Sequence, residues 1–198
     1  MNSDRQAHSN ESGSHLNRWR NSASHYGSLS IGLRWLMLIL IAAAYACIEL
    51  RGNFPKGSDV RESLKTWHFM LGLSVLVLVG VRVAVHFIGP APRIEPPPAK
   101  WQLVLAQLMQ AALYAFMIGM PLLGWLTLSA EGKLVPFFGI ELPALVGESN
   151  SVASWAKELH ETGGTVGYFL IGMHAAAALF HHYVVRDDAL RRMLPRRD

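Results

Sequence analysis

Four long apolar runs divide the chain, at about residues 29–50, 66–88, 101–128 and 154–185. A helix rising ~1.5 Å per residue crosses a ~30 Å hydrocarbon layer in roughly 20 residues, so each run is long enough to span a bilayer. The first is uncharged from Trp35 to Ile48, with Arg34 one turn inside its start and Glu49 and Arg51 at its far end. The second opens on Trp67, a natural interfacial anchor. The third carries no charge, and Pro121 predicts a kink in it. The fourth, Trp155 to Tyr183, holds four histidines. The pattern predicts an all-α integral membrane four-helix bundle over residues 26–198, preceded by a disordered polar tail over 1–25. That tail has no apolar stretch after a basic start, so it does not read as a cleavable signal.

The connections are of three kinds. Gly52, Asn53 and Pro55 mark a turn, and a short polar loop continues to Lys65. Gly89, Pro90, Pro92 and Pro96–Pro98 form a stiff, non-helical connector. The loop over 129–154 is rich in Gly, Pro and Glu, and its Phe137, Phe138 and Leu142 predict that it lies on the membrane surface. Gln107, Gln110 and Tyr114 are expected to face the bundle interior or to bond between helices.

Composition agrees. Charged residues make up 16% and hydrophobic ones 51%, against a usual charged share of ~25%. The net charge of +4 lies mostly outside the apolar runs and speaks to membrane orientation, not nucleic acid. Arginines gather in the amino-terminal tail (Arg5, Arg18, Arg20) and the carboxyl tail (Arg186, Arg191, Arg192, Arg196, Arg197), and Arg93 and Lys100 sit in the second connector. The first loop also carries Arg51, Lys56, Arg61 and Lys65, so the bias is not clean; the expected orientation puts both termini in the cytoplasm. Cys47 is the single cysteine, so an internal disulfide, a thiolate cluster and a haem attached through two thioethers are excluded.

The histidines are the candidate chemistry. His160 and His174 are 14 residues apart, roughly 21 Å along one helix and on nearly one face. His68 and His86 also share a face. A helical histidine is often only a satisfied polar group, but ionisable groups within a membrane tend to face a bundle interior or a cofactor. With both termini inside, His68 and His160 stand at one outer level on different helices, and His174 lies toward the inner face. Two imidazoles without carboxylate or thiolate partners favour the axial ligands of a haem over a tetrahedral zinc. The small residues Gly72, Gly163, Gly164, Gly167, Gly172 and Ala175–Ala178 suit a haem and close helix packing alike. A histidine-lined metal transporter would need carboxylates among the spans, which are essentially lacking.

At this point the chain resembles a known family, the bacterial cytochrome b561 family of four-helix cytoplasmic-membrane b-type cytochromes. The resemblance covers about Tyr26 to the end. It rests on AAYACIELRGNFP (Ala43–Pro55), KTWHFMLG around His68, VRV at Val81–Val83, and above all LHETGGTVGYFLIGMHAAAALFHHY with the tail RRMLPRR. It implies two haems b, the outer held by His68 and His160, the inner by His174 and a histidine at the start of the first helix. Here that stretch reads IGLRW, and the position is Arg34. A family histidine early in the third helix is also replaced, by Gln107 or Gln110. Arginine is always protonated and a very poor iron ligand. Three outcomes follow for the inner site: it is empty, it holds a five-coordinate haem on His174, or another residue such as His86 supplies the missing ligand. Arg34 could also pair with a haem propionate.

The resemblance further implies transfer of electrons from an outer-face donor to membrane quinone in the bacterial inner membrane. At least one member type is a superoxide oxidase, which makes a superoxide:quinone oxidoreductase the expected activity; Arg51, Lys56 and Lys65 would then draw an anion to the outer edge. The rival expectation is a haem-binding membrane anchor or sensor without turnover, which Arg34 favours.

Overall fold

The computed structural model describes residues 27–88, 99–187 and 190. The polar tail, His8, His15, His25, the proline connector and the last arginines lie outside the described residues, as does the side chain of His86. Four long helices form the bundle: α1 (Ser28–Leu50), α2 (Asp59–Ile88), α3 (Lys100–Ala130) and α4 (Asn150–Phe180). A short hairpin, β1 (Val135–Phe137) with β2 (Ile140–Leu142), stands between α3 and α4. The four helices are long and apolar enough to cross a membrane.

α2 begins at Asp59, inside what the sequence suggested was loop up to Lys65. Its first turns are polar but well started. The Ser58 carbonyl accepts from Glu62 N at 3.1 Å, the Ser58 hydroxyl accepts from Arg61 N at 3.4 Å, and Asp59 and Glu62 complement the helix dipole. Thirty residues amount to ~45 Å of helix, so α2 outreaches the hydrocarbon layer. α4 starts on Ser149, whose side chain accepts from Val152 N. Past Phe180 it widens into a π turn, His181–Val185, and stops at Arg186 in a left-handed conformation (φ 59°). α3 runs through Pro121. It closes at Gly132 (φ 68°), where Lys133 N returns to the Leu128 carbonyl at 3.0 Å.

Neighbours in sequence pack together, α1 on α2, α2 on α3 and α3 on α4. α2 and α4 are therefore diagonal partners. Met37, Val75, Val79 and Met117 join α1, α2 and α3 in one core cluster; Leu73, Leu128 and Val135 make a second under the hairpin. The loops over 51–58 and 131–149 lie at one end of the bundle, hereafter the loop end. Large apolar side chains such as Ile39, Val77, Leu108 and Phe169 are exposed along the helices, as expected where lipid is the solvent.

Gln107 and Gln110 are exposed on α3, while Tyr114 packs against the first core cluster. The 131–149 segment folds back as a hairpin whose Phe137 and Leu142 pack onto the second core cluster, leaving Phe138 edge-on to Trp67. Phe138 and Gly139 both have positive φ, as the tight primed turn of a two-residue hairpin loop requires.

Candidate functional site

The diagonal pair α2 and α4 carries His68 and His160. Their ring centroids are 6.0 Å apart with planes at 84°. Each Nδ1 is tied to a backbone carbonyl of the neighbouring helix, His68 to Ala44 of α1 at 2.9 Å and His160 to Met120 of α3 at 3.0 Å. A carbonyl can only accept, so each Nδ1 carries the hydrogen and each Nε2 keeps its lone pair. Gly124 makes the second contact possible: a Cβ there would stand 3.3 Å from His160 Cε1.

Both rings open onto a cavity of about 640 Å³ walled by all four helices and by Val135 of the hairpin. Ile41, Leu73, Phe116 and Met117 give it an apolar body. Arg51, Lys65, Lys133 and Lys157 stand on its lining. Lys65 and Lys133 are paired with Glu62 and Glu131, both at 2.7 Å. Lys56 is not part of this wall.

His174 lies elsewhere. It is six residues before the end of α4, and Arg34 and Arg82 stand six residues from the same end of α1 and α2. The positive fields of Arg82 and Arg34 both reach His174. Arg82 also covers the Tyr114 ring at 5.4 Å and touches Met37 Sδ at 4.0 Å. Among the described residues no second imidazole meets the His174 ring. His181 and His182 sit in the π turn, where His181 Nδ1 holds Asp187 Oδ2 at 2.6 Å.

Sequence reasoning passed over three residues at the main cavity. Tyr45 donates to the Gly164 carbonyl at 2.7 Å, and Tyr168 donates to Glu49 Oε1 at 2.8 Å. Glu49 looked like the mere end of a span. The spacing of Tyr45 and Glu49, four apart and hence on one helix face, was the available signal.

Four apolar helices with two pinned imidazoles facing one cavity define a class, a membrane-embedded bundle built to hold a metal-centred cofactor between diagonal helices. The chain belongs to the prokaryotic cytochrome b561 family, whose model matches residues 25–196. It is 39% identical over 174 residues to cytochrome b561 homolog 1 of Escherichia coli K12, covering 88% of this chain and 99% of that one. It is 35% identical over 172 residues to the probable superoxide oxidase CybB of Yersinia pestis, covering 87% and 97%. Cytochrome b562 of Cereibacter sphaeroides is 29% identical over 176 residues, covering 85% and 94%.

The family implies a b-type haem, and the cavity suits one. Among the described residues no three His, Cys, Asp or Glu side chains cluster to hold a bare metal ion. A porphyrin brings four nitrogens of its own and asks the protein for only two. Two imidazoles sharing one metal at about 2 Å per bond place their centroids roughly 6 Å apart, as His68 and His160 are. The volume lies within the ~300–1,000 Å³ usual for cofactor sites.

Proposed function

We propose that this membrane b-type cytochrome takes electrons singly from a donor at its loop end and passes them to membrane quinone, with His68 and His160 as the axial ligands of its haem b. Bound there, the haem supplies a reversible one-electron couple. The protein supplies the rest. The Ala44 and Met120 carbonyls fix the tautomer and aim of both Nε2 atoms, and hydrogen-bonded ligands of this kind are held more firmly. The apolar wall excludes water. Arg51 and Lys157 concentrate small anions at the mouth, where Lys65 and Lys133 are offset by their carboxylates. Superoxide is such an anion, and the name of the Yersinia pestis relative makes it the donor to test. In this reading the loop end faces outward from the bacterial inner membrane, and both termini are cytoplasmic.

The observation that carries this reading is the pinned His68–His160 pair across one cavity. It is tested by His68→Ala and His160→Ala. Each should abolish the reduced b-type spectrum and the superoxide-driven reduction of quinone, while circular dichroism stays helical. A wild-type spectrum in either variant refutes the assignment.

A second reading rests on Arg34 and Arg82 beside His174. Where a transmembrane electron path would need a second ligand pair, Arg34 and Arg82 stand at the level of His174, and among the described residues no second imidazole meets it. A protein with that site lost would bind haem as an anchor or sensor without turnover. Quinone reduction by the purified protein separates the two readings.

A further inference from the structure

We propose that the seam between α1 and α4 is where the quinone docks, and that Tyr168, backed by Glu49, supplies the protons of its reduction; this rests on the electron-transfer reading above. α1 and α4 do not close on each other by backbone packing as the other neighbours do. Side-chain bonds join them at Tyr45, to the Gly164 carbonyl, and at Tyr168, to Glu49. The Tyr45 and Tyr168 rings lie 4.5 Å apart, tilted by 46°. Tyr45, Glu49, Gly164 and Tyr168 share the cavity wall with His160. Tyr168 is also 47% exposed on the flank of the bundle. The seam thus borders the cofactor cavity on one side and the bilayer on the other, which is where a lipid-dissolved substrate must pass.

The chemistry of these residues fits that substrate. A seam needs only packing or one tyrosine bond to hold, and Tyr45 provides it. A carboxylate bonded to a second tyrosine adds something packing does not need, a proton carrier at the water-facing end of α1. A quinone needs two electrons and two protons, and hydrocarbon offers no protons. The aromatic pair gives its flat ring an edge to pack on. As each electron arrives, the Tyr168 O–H bond breaks and an O–H bond forms on the quinone oxygen. A proton taken up from water by the Glu49 carboxylate then crosses the 2.8 Å contact to restore the phenol. Glu49 is one residue from the loop end of α1, so water there can reprotonate it. Two such rounds yield the quinol, with the electrons coming from the one-electron donor, superoxide being oxidised to dioxygen.

The test uses the haem-loaded protein, reduced with dithionite, desalted and mixed with a short-chain ubiquinone in stopped flow. Tyr168→Phe and Glu49→Gln should keep the haem content and reduced spectrum. Their limiting rate of reoxidation should fall about 100-fold, as for loss of a proton donor, and the solvent isotope effect of the wild type should change. For Glu49→Gln the half-saturating quinone concentration should stay the same, because Glu49 acts through Tyr168. In parallel, an azido-quinone photolabel on the wild type should map to residues 41–49 and 164–168. Wild-type rates in both variants, or a label elsewhere, overturn the proposal and leave the electron-transfer reading standing. A wild-type protein that quinone does not reoxidise overturns that reading itself. The label on wild type decides the matter even where a variant loses its fold.

Discussion

His68 and His160 hold each other at 6.0 Å between ring centroids, and each is anchored through Nδ1 to a helix that is not its own. All four helices therefore contribute to the pair, two with imidazoles and two with carbonyls. The bundle positions the ligands by its backbone, which no conservative change of side chain at Ala44 or Met120 can undo. The weak points are the places where a side chain would intrude.

Gly124 is one such place. The 3.3 Å gap between its would-be Cβ and His160 Cε1 is tighter than ordinary contact. Gly124→Ala should push the His160 ring away from the Met120 carbonyl. Loss of an orienting partner of this kind typically costs about 10–100-fold in affinity for the bound centre. Haem titration of the apoprotein should show a weakening of that order, and Gly124→Val a larger one. Equal affinity in both variants would mean that the Met120 contact does not orient the ring.

The other end of the bundle predicts a stoichiometry. Arg34 stands at the level of His174 and cannot ligate iron. Pyridine haemochrome against amino-acid analysis should give one haem per chain. Arg34→His, which supplies an imidazole at that level, should raise the ratio toward two. A wild-type ratio of two would show that His174 holds a haem, alone or with a ligand from elsewhere, with electrons able to cross the membrane.

Gly167 predicts a stability loss with little effect on ligation. It is buried, and a Cβ there would collide with the Tyr45 hydroxyl and the Phe116 ring. Overpacking of this kind costs typically ~1–3 kcal/mol. Gly167→Ala should lower the midpoint of thermal unfolding in detergent while the spectrum of the surviving protein stays wild type. Unchanged stability would mean that the α1–α4 seam opens easily at Tyr45.

Much of this was legible in the sequence, and the rest was not for definite reasons. The four apolar runs and the levels of His68, His160 and His174 follow from helix periodicity alone, because lipid leaves the backbone few alternatives. The start of α2 did not, since its first two turns are polar and are held by the Ser58 cap and by charge on the helix dipole. The anchors of the histidines are carbonyls, which every residue has, so no side-chain pattern announces them. Tyr45 with Gly164 and Glu49 with Tyr168 are each 119 residues apart, and only the closed bundle brings them together.

Ser129 links the hairpin to the cavity and gives the last prediction. It is 1% exposed at the end of α3, donates to the Trp125 carbonyl at 2.9 Å and accepts from Leu145 N at 3.1 Å. Trp125 Nε1 donates to the Pro143 carbonyl at 3.0 Å, and Ser149 N to the Ala130 carbonyl at 2.9 Å. These bonds fasten the segment after β2 to α3, and with it Val135, which is 1% exposed and closes the cavity at the loop end. Ser129→Ala leaves the Leu145 N–H without its acceptor, at a cost of ~1–3 kcal/mol if it stays buried. The chain has a cheaper course, which is to lift the 143–149 segment and hydrate it. Haem should then leave faster while the two histidines remain intact, so transfer of haem to apomyoglobin should accelerate and the reduced spectrum should keep its shape. Trp125→Phe removes a different bond to the same segment and should act in the same direction. Acceleration in neither variant would show that the hairpin is held by Val135, Phe137 and Leu142 packing on Leu73 and Leu128, and that the polar fastening is dispensable.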